Sequence, residues 1–344
     1  MSKEITIYDI ANSLKISPAT VSRALNNHDA ISSNTKALIN AKAEEMGYRS
    51  NKFASNLRRQ KTNTIGVIVP RLNSTLMSTI LAGMEKVANE AGYNLLITQS
   101  LESFKKEISN VKTMFNSRVD GLMVSVSYDT DGYEHFKSFI DKKIPLIFFD
   151  RTLDKTECLN IVIDNIKGGY DATKHLLEQG CKNIIHVTGN LKRNVYADRL
   201  KGYKQALEEF GILFKEENVF VTDLTTEAGR TVVKAIKQSN EKIDGIFVTN
   251  DFCAVTCMGL LKKMGYSIPE DIAIVGFNND PLTEIITPSL STVYYPGKEM
   301  GEIAAKSMIN HLNGLMDIGH TNYIVLKSEL VIRDSSKRKK IDSN

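Results

Sequence analysis

The chain has 344 residues, too many for one ordinary hydrophobic core, so two or three domains are expected. With 42% hydrophobic and 24% charged residues it reads as globular rather than disordered, and no apolar run reaches the ~20 residues that a membrane helix needs. The formal net charge of +4 is uneven: residues 1–62 carry ten Lys/Arg against five Asp/Glu, so the rest is slightly negative, as expected when only the head meets a polyanion.

The first elements are helical. Ile7, Ile10, Ala11 and Leu14 fall at helical spacing behind Thr6, an N-cap with Asp9 three residues on. A second helix is expected to open at Ser17, with Pro18 at its first position, where the missing N–H costs nothing. It turns Val21, Ala24 and Leu25 inward and leaves Thr20, Ser22, Arg23 and Asn26 outside. Hydroxyls, an amide and a guanidinium suit phosphate oxygens and base edges. Two short helices joined by a tight turn make a helix-turn-helix whose second helix fits a major groove. From these residues alone, a plain helical hairpin with a solvated polar face stays open as an alternative. Ser32 caps a third helix, expected to reach about Met46 and stop at Gly47, with Ala37, Leu38, Ala41 and Met46 as its apolar side.

Tyr48 to Asn63 reads as a basic linker. Its segment NKFASNLRR sets Phe53, Ala54 and Leu57 on one side, and so short a segment does not hold a helix alone in water. From Thr64 the texture changes to strand and helix in alternation. TIGVIV, NLLIT, DGLMVSV and PLIFFD are separated by helical patterns at Met77–Ala91, Lys105–Asn116 and Tyr133–Lys142. The alternation then restarts with IVIDN, NIIHVTG, NVFVTD, DGIFVTN and DIAIVGF, again with helical patterns between. Two doubly wound parallel-sheet units in tandem enclose a cleft, and strand ends at Asp150, Asn250 and Asn278 are expected to face it.

The chain's motifs weigh against catalysis. No GxGxxG follows a strand, and GxxxxGK[ST], HExxH and GxSxG are absent. Cys158, Cys181, Cys253 and Cys257 form no CxxC pair and read as reduced, buried thiols, so no metal and no cofactor is expected. MSKEITIYDI has no signal-peptide core, which argues for the cytoplasm.

The pieces YDIA, SPATVSRALN and ISSNTKALINAKAEEMGY closely resemble the DNA-binding domain of the lac/gal repressor family. The resemblance continues through TNTIGVIVP, DGLMV, PLIFFDR, HLLEQGCKNIIHVTG, RLKGYKQAL, GIFVTND and IPEDIAIVGFNNDPLTEIITPSLSTV, nearly the whole chain. It implies an all-α helix-turn-helix head (1–47), a linker with a hinge helix (48–62) and a periplasmic-binding-protein-like α/β body (63–333). In the body, 63–162 with 296–321 would form the first lobe and 163–295 with 322–333 the second. The basic tail 334–344 reads as a solvated, frayed end.

Residue by residue, the resemblance implies base contacts at Thr20 and Arg23, and mostly phosphate contacts at Tyr8, Ser22, Asn26, Ser32 and Thr35. Ser17 opens the reading helix. Pro18 and Ala19 sit where the family varies its base readers, and offer at most apolar contact with a thymine methyl. In the implied hinge helix, Leu57 wedges into the minor groove, with Ala54 and Arg58 beside it. For the small molecule, the resemblance implies Arg199, Asp150, Asn250 and Arg193. Three departures stand out: Asn278 replaces a usual Asp, Leu76 and Met77 replace an aromatic pair, and Leu224 stands where some members have another aromatic. Two candidate arginines and a lost carboxylate suggest an effector bearing a carboxylate or phosphate. The implied whole is a homodimeric transcription regulator, read as a repressor, that binds near-palindromic double-stranded DNA under control of a sugar-like effector. A transport receptor would have no use for the head, and a sugar-modifying enzyme lacks a catalytic constellation.

Overall fold

The head consists of three helices, α1 (Ile7–Leu14), α2 (Pro18–Leu25) and α3 (Ser33–Glu45), in a computed structural model that describes residues 5–48, 61–153 and 157–338. Each helix begins where a short polar side chain replaces a missing intrahelical partner. The Asp9 carboxylate accepts from the Thr6 N–H at 2.8 Å and from its hydroxyl at 2.6 Å. Ser17 Oγ accepts from the Thr20 N–H at 3.1 Å, and Ser32 Oγ from the Thr35 N–H at 3.2 Å. Ile10, Ala11, Val21, Ala24, Ile39 and Ala43 are buried against one another and form the head's core.

The third helix differs from expectation. Ala37, Leu38 and Ala41 are exposed, Leu38 by 58%, and the buried face is Ile39 and Ala43 with Met46 half-buried. Both sets keep helical spacing, and only the position of α1 and α2 decides which one is covered. The hinge-helix reading, with Ala54, Leu57 and Arg58, lies outside the described residues.

The chain divides at Thr62/Asn63 into two compact units. In the second, β1 (Thr64–Val69), α4 (Thr75–Glu90), β2 (Asn94–Gln99), α5 (Phe104–Asn116), β3 (Gly121–Val124), α6 (Lys137–Asp141), β4 (Leu146–Phe149) and β5 (Leu159–Ile163) build the first lobe. The second lobe follows with α7 (Asn165–Glu178), β6 (Ile184–Thr188), α8 (Asn194–Glu209), β7 (Val219–Val221), α9 (Thr226–Gln238), β8 (Gly245–Val248), α10 (Asp251–Lys263), β9 (Ala273–Asn278), α11 (Leu282–Ile285) and β10 (Ser291–Tyr294). Then come α12 (Gly297–Leu312), β11 (Tyr323–Leu326) and β12 (Glu329–Val331).

The sheets run β11-β5-β4-β3-β1-β2 and β12-β10-β9-β8-β6-β7, parallel throughout except that β12 is antiparallel to β10. Near-continuous burial of β1, β3, β4, β6, β8 and β9 fits strands covered on both faces.

Two boundaries need correction. Tyr323–Leu326 pairs in parallel with β5, so the last crossing between lobes falls after Leu326 and not at 321/322. Its alternating, half-exposed pattern marks an edge strand, and a sequence does not say which of two edges such a strand joins. The segment 334–338 is also not a frayed tail. Ser335 and Ser336 are fully buried, the Ser335 carbonyl accepts from the Ile274 N–H at 2.8 Å, and Arg338 Nη2 donates to the Asp244 carbonyl at 2.8 Å. Polar residues that saturate buried backbone look, in sequence, like a solvated end.

His186, on β6, is fully buried with its ring stacked 5.0 Å from Tyr203. Burial, aided by the Arg199 charge, pushes its pKa from 6.5 down to about 3. The unfolded chain therefore takes up a proton that the folded chain refuses as pH falls below 6.5. Stability from this group is complete above that pH and falls by about 1.4 kcal/mol per unit below it, down to about pH 3. Urea titrations at about pH 7 and about pH 5 should show His186→Phe losing about 2 kcal/mol less than the parent. Equal losses would mean that this ring titrates normally.

Candidate functional site

On the head, α2 presents Ala19, Arg23 and Asn26 to solvent, with Pro18, Thr20 and Ser22 half-exposed, and Tyr8 on α1 is 63% exposed. Ser17 and Ser32 are committed as caps, and each also shares a hydroxyl contact of 2.8 Å, with Thr20 and Thr35 respectively. Asn26 folds back so that its Nδ2 donates to the Ser22 carbonyl at 2.8 Å. These contacts order the polar surface without hiding it, and they leave two helix N-termini with the electropositive character that suits phosphate.

In the second unit a cavity of about 450 Å³ lies between the lobes, within the size usual for small-molecule sites. Leu76, Met77, Asp150, Arg199, Leu224, Asn250 and Asn278 all line it. Arg193 does not: it is buried beside the cavity, and its Nη2 donates to the Thr130 carbonyl of the first lobe at 2.8 Å. The family resemblance implied a ligand contact, but the guanidinium is turned toward the other lobe's backbone.

Arg199 is placed by helix packing. A Cβ on Gly169 would come within 2.3 Å of the Arg199 carbonyl oxygen, and one on Gly202 within 2.1 Å of the Ile166 carbonyl. Only glycine lets α7 and α8 touch backbone to backbone, and this contact sets Arg199 beside Asn165. Arg199 Nε donates to Asn165 Oδ1 at 2.9 Å, Nη1 to the Thr249 carbonyl at 3.1 Å, and the guanidinium lies 3.6 Å from the Phe277 ring centroid. Nη2 has no hydrogen-bond partner among the described residues. Burial lowers the Arg199 pKa, while the phenols of Tyr196 and Tyr295 and the Asp150 carboxylate favour its charge.

Around it, Asp150 sits at φ 57° after β4, and its carboxylate accepts from Tyr295 at 2.9 Å and Ser125 at 3.2 Å. Asn250 caps α10, its Oδ1 accepting from the Cys253 N–H at 3.0 Å, which leaves its NH2 as a donor. Asp280 also lines the cavity, and burial pushes its pKa up to about 6.

Among the lining residues that were not expected, Glu102, Tyr128, Arg151 and Tyr196 form one connected group. Arg151 donates to Glu102 at 2.8 Å in its own lobe and to the Tyr196 hydroxyl of the other at 3.1 Å, with its guanidinium 4.2 Å from the Tyr128 ring centroid. The Tyr128 and Tyr196 hydroxyls share a 2.9 Å contact across the lobes. Arg151 stood in plain view in PLIFFDR, next to Asp150. The tyrosines carried no signal, because Tyr128 lies in the loop after β3 and Tyr196 in the first turn of α8, far apart in sequence and brought together only where the lobes meet.

The fold and these surfaces define a class: a helix-turn-helix head on a body of two α/β lobes with a ligand-sized cavity between them. Residues 6–51 match the bacterial regulatory proteins, lacI family, and residues 173–336 the periplasmic binding protein-like domain. The chain is 32% identical over 333 residues to the HTH-type transcriptional regulator RegA of Clostridium saccharobutylicum, covering 96% of this chain and 99% of that protein. It is 28% identical over 334 residues to catabolite control protein A of Priestia megaterium, covering 97% and 99%. Its fold matches the lac repressor dimer bound to operator and the anti-inducer ONPF with a TM-score of 0.86 at 21% identity, covering 97% of this chain and 99% of that one. The chain belongs to the lacI family of bacterial regulatory proteins, which are DNA-binding transcription regulators and not enzymes. Among the described residues no helix is long and apolar enough to cross a membrane.

Proposed function

We propose that this chain is a dimeric, cytoplasmic repressor whose affinity for a near-palindromic operator is set by an uncharged polyhydroxylated effector, a sugar or sugar derivative, bound between the lobes. The observation that carries the reading is Arg199, locked by Asn165, Thr249 and Phe277 with one guanidinium nitrogen unused. The anionic effector expected from two arginines loses its basis, since Arg193 is committed to Thr130 and Arg151 is paired with Glu102. The lining holds Glu102, Asp150, Asp223 and Asp280 against Arg71, Arg151 and Arg199, a balance that disfavours a further negative charge. Sugar hydroxyls both donate and accept, which suits carboxylates, an arginine and the Asn250 amide in one cavity.

On DNA, Thr20 and Arg23 read bases, with Pro18 and Ala19 in apolar contact. Tyr8, Ser17, Ser22, Asn26, Ser32 and Thr35 hold the backbone. Effector binding shifts the population of lobe arrangements, and that shift decides whether two hinges pair and Leu57 enters the minor groove, flanked by Ala54 and Arg58. Gel shifts on operators selected from random DNA, with a calorimetric panel of neutral sugars, sugar acids and sugar phosphates, test the proposal. Binding should weaken steeply with salt, because Lys and Arg displace counterions. Tight binding confined to acids or phosphates would overturn the uncharged effector. Leu57→Ala should weaken operator binding by about tenfold or more, ~1.4 kcal/mol, with sugar affinity retained. Unchanged operator affinity would remove the wedge.

A further inference from the structure

The cavity wall at Asn278 is made by a corner of the backbone that no side chain there would choose freely. Asn278 and Asn279 are consecutive non-glycine residues at φ 119° and 57°. Asparagine tolerates this region better than most residues, yet two in succession need outside support.

That support comes from two ionisable residues on opposite sides, neither in the cavity lining. Asp251, the first residue of α10, is fully buried and is the acceptor at the centre of one network. The Asp280 N–H donates to its Oδ2 at 2.8 Å, and Thr292 Oγ1 donates to its Oδ1 at 2.7 Å. Thr292 Oγ1 in turn accepts from the Asn279 N–H at 3.2 Å, so two successive amides of the corner end on one carboxylate. Space for that carboxylate exists because residue 276 is glycine: a Cβ there would lie 2.2 Å from Asp251 Oδ1. From the other side, just past β12, Arg333 Nη2 donates to Asn279 Oδ1 at 2.9 Å and to Glu284 at 2.8 Å. Its Nη1 donates to Thr283 Oγ1 at 3.2 Å and to the Leu290 carbonyl at 3.0 Å. One planar guanidinium thus ties the corner to the segment that follows it.

We infer that Asp251 and Arg333 are positioning residues of the effector site, holding the strained Asn278–Asn279 corner so that Asn278 and Asp280 face the ligand. This rests on the proposed reading of the cleft as a sugar site, and the experiment separates the two. Amide hydrogen exchange of the full-length, ligand-free protein reads the corner directly. In Arg333→Gln and in Asp251→Asn, exchange in the peptide spanning 278–285 should rise about tenfold or more while that of β8 stays at the parent's rate. No change in that peptide, or an equal rise in β8, would overturn the inference. The second arm uses the neutral sugar that binds the parent most tightly in the calorimetric panel. Arg333→Gln should weaken that sugar about tenfold, and should add no further loss in an Asn278→Ala background, since both changes act through one contact. Full additivity would overturn it. If no neutral sugar binds the parent, the reading of the cleft fails, and the exchange result still decides the role of the two side chains.

Discussion

Replacing Arg199 by alanine is expected to weaken effector binding at least about 100-fold and to abolish the effector's influence on operator binding. The substitution removes a cation from a buried site where hydrogen bonds to charged groups are worth about 1.5–3 kcal/mol each. It also strips partners from Asn165 Oδ1 and the Thr249 carbonyl and uncovers the Phe277 ring. Lysine would not repair the loss, because a point charge does not reproduce a fork that holds two protein acceptors and presents a third edge. The effector-free Arg199→Ala protein should still shift the operator, since the head's core is built from its own residues. The measurement is a gel shift with and without saturating effector, with a melting curve to confirm folding. A response at the parent's effector concentration would place the ligand elsewhere.

The opposite dissociation is expected from Ile39→Ala. The head's core is six buried residues, and Ile39 is one of the larger ones, fully buried. Truncating a buried isoleucine costs about 2–5 kcal/mol, comparable with the whole stability of so small a unit. Operator binding should be lost while calorimetry shows effector affinity as in the parent. Leu38→Ala is the internal control. By apolar spacing alone Leu38 was a core candidate, but it is exposed, and its truncation should change head stability by no more than about 0.5 kcal/mol. Operator loss in Leu38→Ala together with tolerance of Ile39→Ala would show that the helix faces the other way.

Much of this protein was legible as sequence because its signals are local. Thr6, Ser17 and Ser32 announce helix starts through side-chain contacts within three residues, and Pro18 can only open a helix. The alternation of buried strands with helical patterns identified two parallel sheets, since both faces of each strand must be apolar. Seven of eight expected cleft residues line the cavity: Asp150, Asn250 and Asn278 because strand ends in such sheets face one crevice, and Leu76, Met77, Arg199 and Leu224 at the positions that the family resemblance implied.

What resisted reading is non-local. Which sheet edge takes Tyr323–Leu326, whether Ser335 and Ser336 face water or backbone, and whether Arg193 meets ligand or Thr130 each depend on a partner more than a dozen residues away. The Tyr128–Tyr196–Arg151 contact exists only because two lobes meet, and the Asn278–Asn279 corner only because Asp251 and Arg333 converge on it. Amino-acid order by itself determined the head, the paired sheets and the strand ends offered to the cleft, through caps, periodicity and turn chemistry that act over a few residues. The tertiary structure alone decided which charges are spent inside the protein and which remain for a ligand, because burial and pairing are properties of the packed whole.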